Sequence, residues 1–251
     1  MKKVITVRGL TFALLFTSVT ACLDNDSSTL PEHVVQPEAR RSSNGVLSTT
    51  LETALATNSF VDVATGLAKT VETPTYEGSL IGPTLRVRPG DRLQIDIVNR
   101  FPPNPEQSRR GAFPHDPYTT NLHTHGLTVT PQGIGDNPFR HMPPQTSNLF
   151  EVQIPDSHQP GTFWYHPHKH GTVAFQFFGG MSGFLIIDGG PGTIDAVPEI
   201  DSAADILMSF QAIRVDENGQ VPWLNTTATQ FARNGAYGTF LDSSVHLLTN
   251  A

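Results

Sequence analysis

The chain is short of several things, and each shortage rules something out. It has one cysteine, Cys22, among 251 residues, so no disulfide can close within it. No His-Cys-His segment occurs anywhere. Charged residues make up only 16% of the chain and sum to −7. An acidic chain offers no basic surface for nucleic acid, which excludes that class of partner. The apolar run at residues 10–19 is shorter than the roughly 20 residues a spanning helix needs. No stretch shows a convincing long helical periodicity. What is plentiful is backbone punctuation: 21 Gly and 20 Pro suit a turn-rich β protein better than a helical one.

The first residues read as a targeting segment. Lys2, Lys3 and Arg8 give a positive start, the short apolar run follows, and the small residues Thr20 and Ala21 precede Cys22. That order is a secretory signal. Val19-Thr-Ala-Cys22 also resembles a bacterial lipobox, in which the cysteine carries lipid; the other reading is an ordinary signal with an incidental cysteine. We therefore expect a lipoprotein-type signal peptide at 1–22 and a periplasmic or outer-membrane-anchored product, with the membrane touched only through the lipid. Leu23 after the cysteine gives no argument for retention in the inner membrane. Residues 23–45 are polar and without periodicity, and are expected to be a flexible tether. His33 falls there as a solvated side chain.

From residue 46 the pattern becomes that of strands. Phe60, Val61 and Val63 hint at one. Leu93, Ile95 and Ile97 alternate with polar residues at a period of two, as do Phe150, Val152 and Ile154. Residues 183–187 are apolar throughout, as in a fully buried strand. Residues 101–118, with five prolines, and 131–144, with Gly133, Gly135, Asp136 and His141, read as loops. His115 in the first loop is structural or exposed. Pro160-Gly161 marks a turn, and residues 188–192 read as a linker between domains. Strands at this spacing predict an all-β sandwich or barrel over 46–190. Residues 191–251 follow as linker and the opening of a second domain, with a strand from 205 and a turn at 216–219, and the chain stops in mid-domain.

Ten histidines occur, and five of them lie at alternate positions in two short windows: His123 and His125, then His166, His168 and His170. Alternate residues of a strand point the same way. Two such strands side by side would gather four or five imidazoles into one volume, a donor set that suits copper, zinc, nickel or iron. One H-x-H alone could be surface histidines; two, each followed by glycine, point to a metal. The spacing names neither the ion nor how it is shared. A cupin site would need a glutamate a few residues after the motif, and residues 126–131 have none. A hydrolytic zinc site would need a third ligand with a general base, and none is evident.

These windows carry a family resemblance. Residues 83–99, 121–126, 161–171 and 179–187 resemble the first cupredoxin domain of multicopper oxidases, the laccase group, over roughly 46–190. Residues 247–250 are more weakly similar to the strand that opens the second such domain. The resemblance implies a cupredoxin-like Greek-key β-sandwich or barrel followed by an incomplete second cupredoxin domain. It implies copper, with His123 as a type 2 ligand and His125, His166 and His168 as type 3 ligands. It implies that Asp136 relays protons near the cluster, where the residue alone could equally be a loop Asx turn. The implied reaction couples one-electron oxidation of phenols or metal ions to four-electron reduction of dioxygen to water.

Thr124 stands where the family often has tryptophan, and is expected to face outward. His170 exceeds the usual pair and is expected to orient a ligand. Met181 reads as core rather than as a thioether ligand. The type 1 site needs a thiolate with two histidines, which this chain lacks, as it lacks the family's two C-terminal histidine motifs. Identical copies cannot supply them. The expectation is a fragment, an interrupted gene product or half of a split assembly, inactive alone and partnered by a missing C-terminal half. The alternative is a non-catalytic, lipid-anchored periplasmic copper-binding protein.

Overall fold

The computed structural model describes residues 35–62, 65–105, 116–215 and 244–249. The signal segment with Cys22, His33, Val63, His115 and the turn at 216–219 lie outside the described residues.

Alternation decides the inner faces. In β5 (Arg92–Asn99) the residues Leu93, Ile95 and Ile97 are wholly buried while their neighbours are open or half-buried. In β7 (Ser147–Gln153) Phe150 and Val152 are buried, and Ile154 just beyond joins them. These strands belong to a four-stranded sheet that also contains β2 (Val46–Asp62) and β3 (Leu67–Tyr76), in the order β3-β2-β5-β7. A five-stranded sheet runs β1-β4-β9-β8-β6. Its strands are β1 (Ala39–Arg41), β4 (Gly82–Val87), β6 (His123–His125), β8 (Gly161–His166) and β9 (Gly183–Ile187). Leu85, Val87, Leu185, Ile187 and Tyr165 from this sheet join Leu93, Ile95, Ile97 and Phe150 from the other in one apolar core. Each such side chain contributes about 1.5–3 kcal/mol through removal from water. Met181 is in that core with no exposed surface, as its sequence context implies.

Two features were less visible in the sequence. β1 falls inside the stretch expected to be a tether, and pairs in parallel with β4, Ala39 opposite Thr84 and Arg41 opposite Arg86. It is an edge strand of three residues, too short and too open for apolar alternation. Polar contacts hold it instead: the Arg40 guanidinium donates to the Thr50 carbonyl at 2.6 Å and to Thr49 Oγ1 at 3.0 Å. β2 is 17 residues long, far beyond the hint at Phe60. Its first half pairs in parallel with β5, its second half antiparallel with β3. Its threonines and serines conceal a strand that passes from one partner to the other.

Helix is scarce among the described residues: α1 (Val173–Phe178), a 3-10 turn (Ile194–Ala196) and α2 (Pro198–Asp201). None is long and apolar enough to cross a membrane. After β9 the chain leaves the core. Arg86 of β4 holds Asp188 (Nε to Oδ1, 3.0 Å) and Asp205 (2.6 Å) at either end of this stretch. β10 (Phe210–Val215) then pairs antiparallel with β11 (Ser244–Thr249).

The core reading has a direct test. Ile95→Ala should lower stability by about 2–5 kcal/mol, seen as a lower urea midpoint at unchanged slope. A midpoint equal to wild type would contradict the placement of β5 between β2 and β7.

Candidate metal centre

β6 and β8 are antiparallel neighbours whose register sets His123 opposite His166, Thr124 opposite Tyr165 and His125 opposite Trp164. Thr124 and Tyr165 turn into the protein, with 1% and 0% of their surface exposed. The residues on either side must then point to the other face of the sheet. His123, His125, Trp164 and His166 share that face. This corrects the outward placement expected for Thr124: once the histidines face out, the residue between them faces in. Its Oγ1 is buried without a hydrogen-bond partner. Gly126 ends β6 with φ at 87°, where L side chains are strained. Gly183 of β9 lies beneath the Tyr165 ring, and a Cβ there would sit 2.3 Å from Tyr165 Cζ.

The imidazoles converge. The His123 ring centroid lies 5.5 Å from that of His125, 5.3 Å from His166 and 5.1 Å from His168. His125 and His166 are 5.4 Å apart, with Nδ1 of the first 3.2 Å from Nε2 of the second. One ring nitrogen from each of His123, His125 and His166 falls within 4.8 Å of the others. His168 lies past the end of β8, exposed, with its ring 5.8 Å from His166. All four predicted ligands are therefore brought together. His170 is exposed in the turn that follows, where its carbonyl accepts a hydrogen bond from Lys169 Nζ at 3.1 Å.

Two of the rings have their outer nitrogens fixed. The Asp136 carboxylate meets His123 Nδ1 at 3.0 and 3.1 Å and accepts the Thr124 backbone N–H at 2.8 Å. It is buried and reaches across to β6 rather than capping its own loop. A carboxylate at Nδ1 keeps the proton there and leaves Nε2 with its lone pair free. His166 Nδ1 donates to the Pro167 carbonyl at 2.8 Å, which leaves Nε2 as its acceptor nitrogen, turned toward His125 Nδ1. Burial, aided by the three neighbouring imidazoles, pulls the His166 pKa down to about 4. That ring is neutral at neutral pH, the form in which imidazole binds metal.

Sequence reasoning overlooked Trp164 and Asn121. Trp164 stacks on His166 with centroids 4.1 Å apart and on His125 at 4.6 Å. Its position two residues before His166 was the available signal. It also lines a cavity of about 310 Å³, together with Phe177, Phe184, Met208 and Phe210. Asn121, immediately before the first motif, is buried with its carboxamide engaged at both ends.

The donor set is all imidazole nitrogen, and the Asp136 carboxylate beside it is committed to His123. Such a set suits copper as well as zinc, nickel or iron, so the residues fit the metal that the resemblance implies.

Comparison with known proteins agrees. Residues 113–191 match the family model described as multicopper oxidase. A multicopper oxidase of Staphylococcus haemolyticus is 29% identical over 113 residues, 45% of this chain and 21% of that protein. An iron transport multicopper oxidase of Candida albicans is 36% identical over 110 residues, 42% of this chain and 14% of that one. The matched stretch is thus a small part of each relative's length. A solved multi-copper oxidase from Pediococcus acidilactici superposes with a TM-score of 0.57 over 80% of this chain and 40% of its own, at 18% identity. At that identity the likeness speaks for fold alone, and the fold is the cupredoxin sandwich expected. Over residues 113–191 the chain is thus similar to multicopper oxidases.

Proposed function

We propose that this chain is the copper-binding N-terminal part of an oxidase that couples one-electron oxidation of phenols or metal ions to four-electron reduction of dioxygen to water. The observation that carries this reading is the meeting of His123, His125 and His166 on one sheet face, with the His168 ring 5.1 Å from His123 and Asp136 behind His123. His123 would hold the type 2 ion, and His125, His166 and His168 would hold type 3 ions. Bound copper supplies the one-electron steps and the affinity for dioxygen.

The chain's own residues do the rest. Asp136 fixes the tautomer of His123 at Nδ1 and is the carboxylate that hands protons toward the cluster. The Thr124 N–H keeps that carboxylate aimed at β6. The Pro167 carbonyl fixes the tautomer of His166. Trp164 covers one side of His125 and His166 against water.

The type 1 thiolate and the remaining cluster ligands come from a C-terminal half that this sequence does not include, since its one cysteine is Cys22. The chain by itself binds copper and does not turn over. Export with a lipid on Cys22, giving a periplasmic or outer-membrane-anchored protein, is supported by the order of residues 1–22. The lack of a thiolate site also favours a second reading, a lipid-anchored periplasmic copper chelator without turnover.

Titration of the purified chain with copper should show binding that disappears in the His123→Ala/His166→Ala double variant. Dioxygen uptake with a phenol should stay at background. Uptake above background would contradict the inactivity of the isolated chain, and uptake restored by a C-terminal half that supplies His-Cys-His would discard the chelator. Asp136→Asn keeps the size of the side chain but removes its charge. Copper affinity should fall about 10–100-fold, measured by competition with a chelator of known affinity. An unchanged affinity would mean that Asp136 does not support His123.

A further inference from the structure

Strand register accounts for only part of the site. His123 and His125 lie on β6, and His166 closes β8 directly opposite His123. These are the same three residues whose ring nitrogens lie within 4.8 Å of one another. His168 and Asp136 are different. His168 sits on irregular backbone past the end of β8, and Asp136 lies in a loop with no strand of its own. No sheet hydrogen bond sets either one.

We propose that Asn121 is the positioning residue that sets both. Its side chain has no exposed surface. Oδ1 accepts the backbone N–H of His168 at 2.6 Å. Nδ2 donates to the carbonyl of Pro138, two residues beyond Asp136, also at 2.6 Å. One planar carboxamide therefore ties the first histidine strand to the second histidine motif, 47 positions away, and to the acidic loop, 17 positions away. The orientation of the amide follows from its partners, because an N–H can only donate and a carbonyl can only accept.

The chemistry of the position is narrow. It needs a donor and an acceptor on one short rigid group, buried, with both satisfied. Aspartate would keep the bond to His168 but turn an oxygen toward the Pro138 carbonyl. Alanine would leave the part-buried His168 N–H and Pro138 C=O without these bonds, a loss at each. The Asp136 loop has local bonds of its own, Asp136 N to the Thr130 carbonyl at 3.1 Å and Asn137 N to the Gly135 carbonyl at 2.7 Å. These shape the loop internally. Asn121 supplies a cross-link between that loop and the strand leading into His123. The inference rests on the metal reading for its meaning, because the distance between His168 and the other three rings matters only if they share ions.

The test separates the two. In the metal-free full chain, amide hydrogen exchange at His168 should speed up by about tenfold in Asn121→Ala, the effect of one lost hydrogen bond, while Leu93 and Ile97 in the core stay as protected as in wild type. Asn121→Asp should leave His168 protected, and serves as the folded comparison if the alanine variant loses structure. Exchange at His168 unchanged in Asn121→Ala, or equally fast in Asn121→Asp, overturns the proposal whether or not copper binds. With copper as the probe, Asn121→Ala and His168→Ala should each weaken affinity, and the double variant should lose less than the product of the two losses. Losses that multiply in full would show that Asn121 does not act through His168. A wild-type chain that binds no copper would remove the metal reading, and the exchange experiment would still decide the brace.

Discussion

The antiparallel register of β6 on β8 is the constraint on which the site depends. His123 lies opposite His166, and every neighbouring choice follows from the two-residue period of a strand. A slip of one residue would turn the imidazoles of that strand into the core and bring Thr124 or Tyr165 out. The register is held from the inner side. Tyr165 packs in the core, donates its hydroxyl to the Pro83 carbonyl at 2.7 Å and lies edge-on to Tyr76 with centroids 5.3 Å apart. Only glycine at 183 leaves room for its ring. The histidine-bearing side of β8 is thus fixed by what the other side of the same strand buries.

That arrangement joins stability to chemistry. Tyr76 and Tyr165 are wholly buried, and burial holds both phenols well above their usual pKa. They serve as neutral packing groups. On the opposite face, burial acts on His166 with the other sign of consequence. It disfavours the imidazolium and keeps a lone pair available. The same desolvation that makes the core inert keeps the site ready for a cation.

Much of this was legible in the sequence, for identifiable reasons. The alternation of Leu93, Ile95 and Ile97 named a strand and its buried face, because a half-buried strand writes its geometry directly into residue type. The two H-x-H windows named the face on which the imidazoles gather. Other features left little trace. β1 is a polar three-residue edge held by Arg40, and β2 passes between partners without a regular apolar alternation. Asp136 sits in a loop, where position depends on bonds to distant strands rather than on periodicity. The side of the sheet taken by Thr124 was misjudged because alternation gives relative faces, and only packing says which face is the core. Asn121 stood beside the motif, yet a buried carboxamide announces no partner until the fold supplies His168 and Pro138.

The burial of the four imidazoles runs in one direction, and that gradient bears on the proposed reading. His166 is buried, His123 is half-buried, and His125 and His168 are exposed. Behind His123 and His166 the nitrogens not left for metal are already paired, with Asp136 and the Pro167 carbonyl. Trp164 closes the flank. The open side is therefore the side of His125 and His168, where ring surface faces water with no covering strand among the described residues. A cluster of ions held from one face only has unfilled coordination on the other. On the reading proposed above, the missing ligands approach from that side, so this domain behaves as a preformed half-socket whose rigid back sets the ligand spacing before the rest arrives.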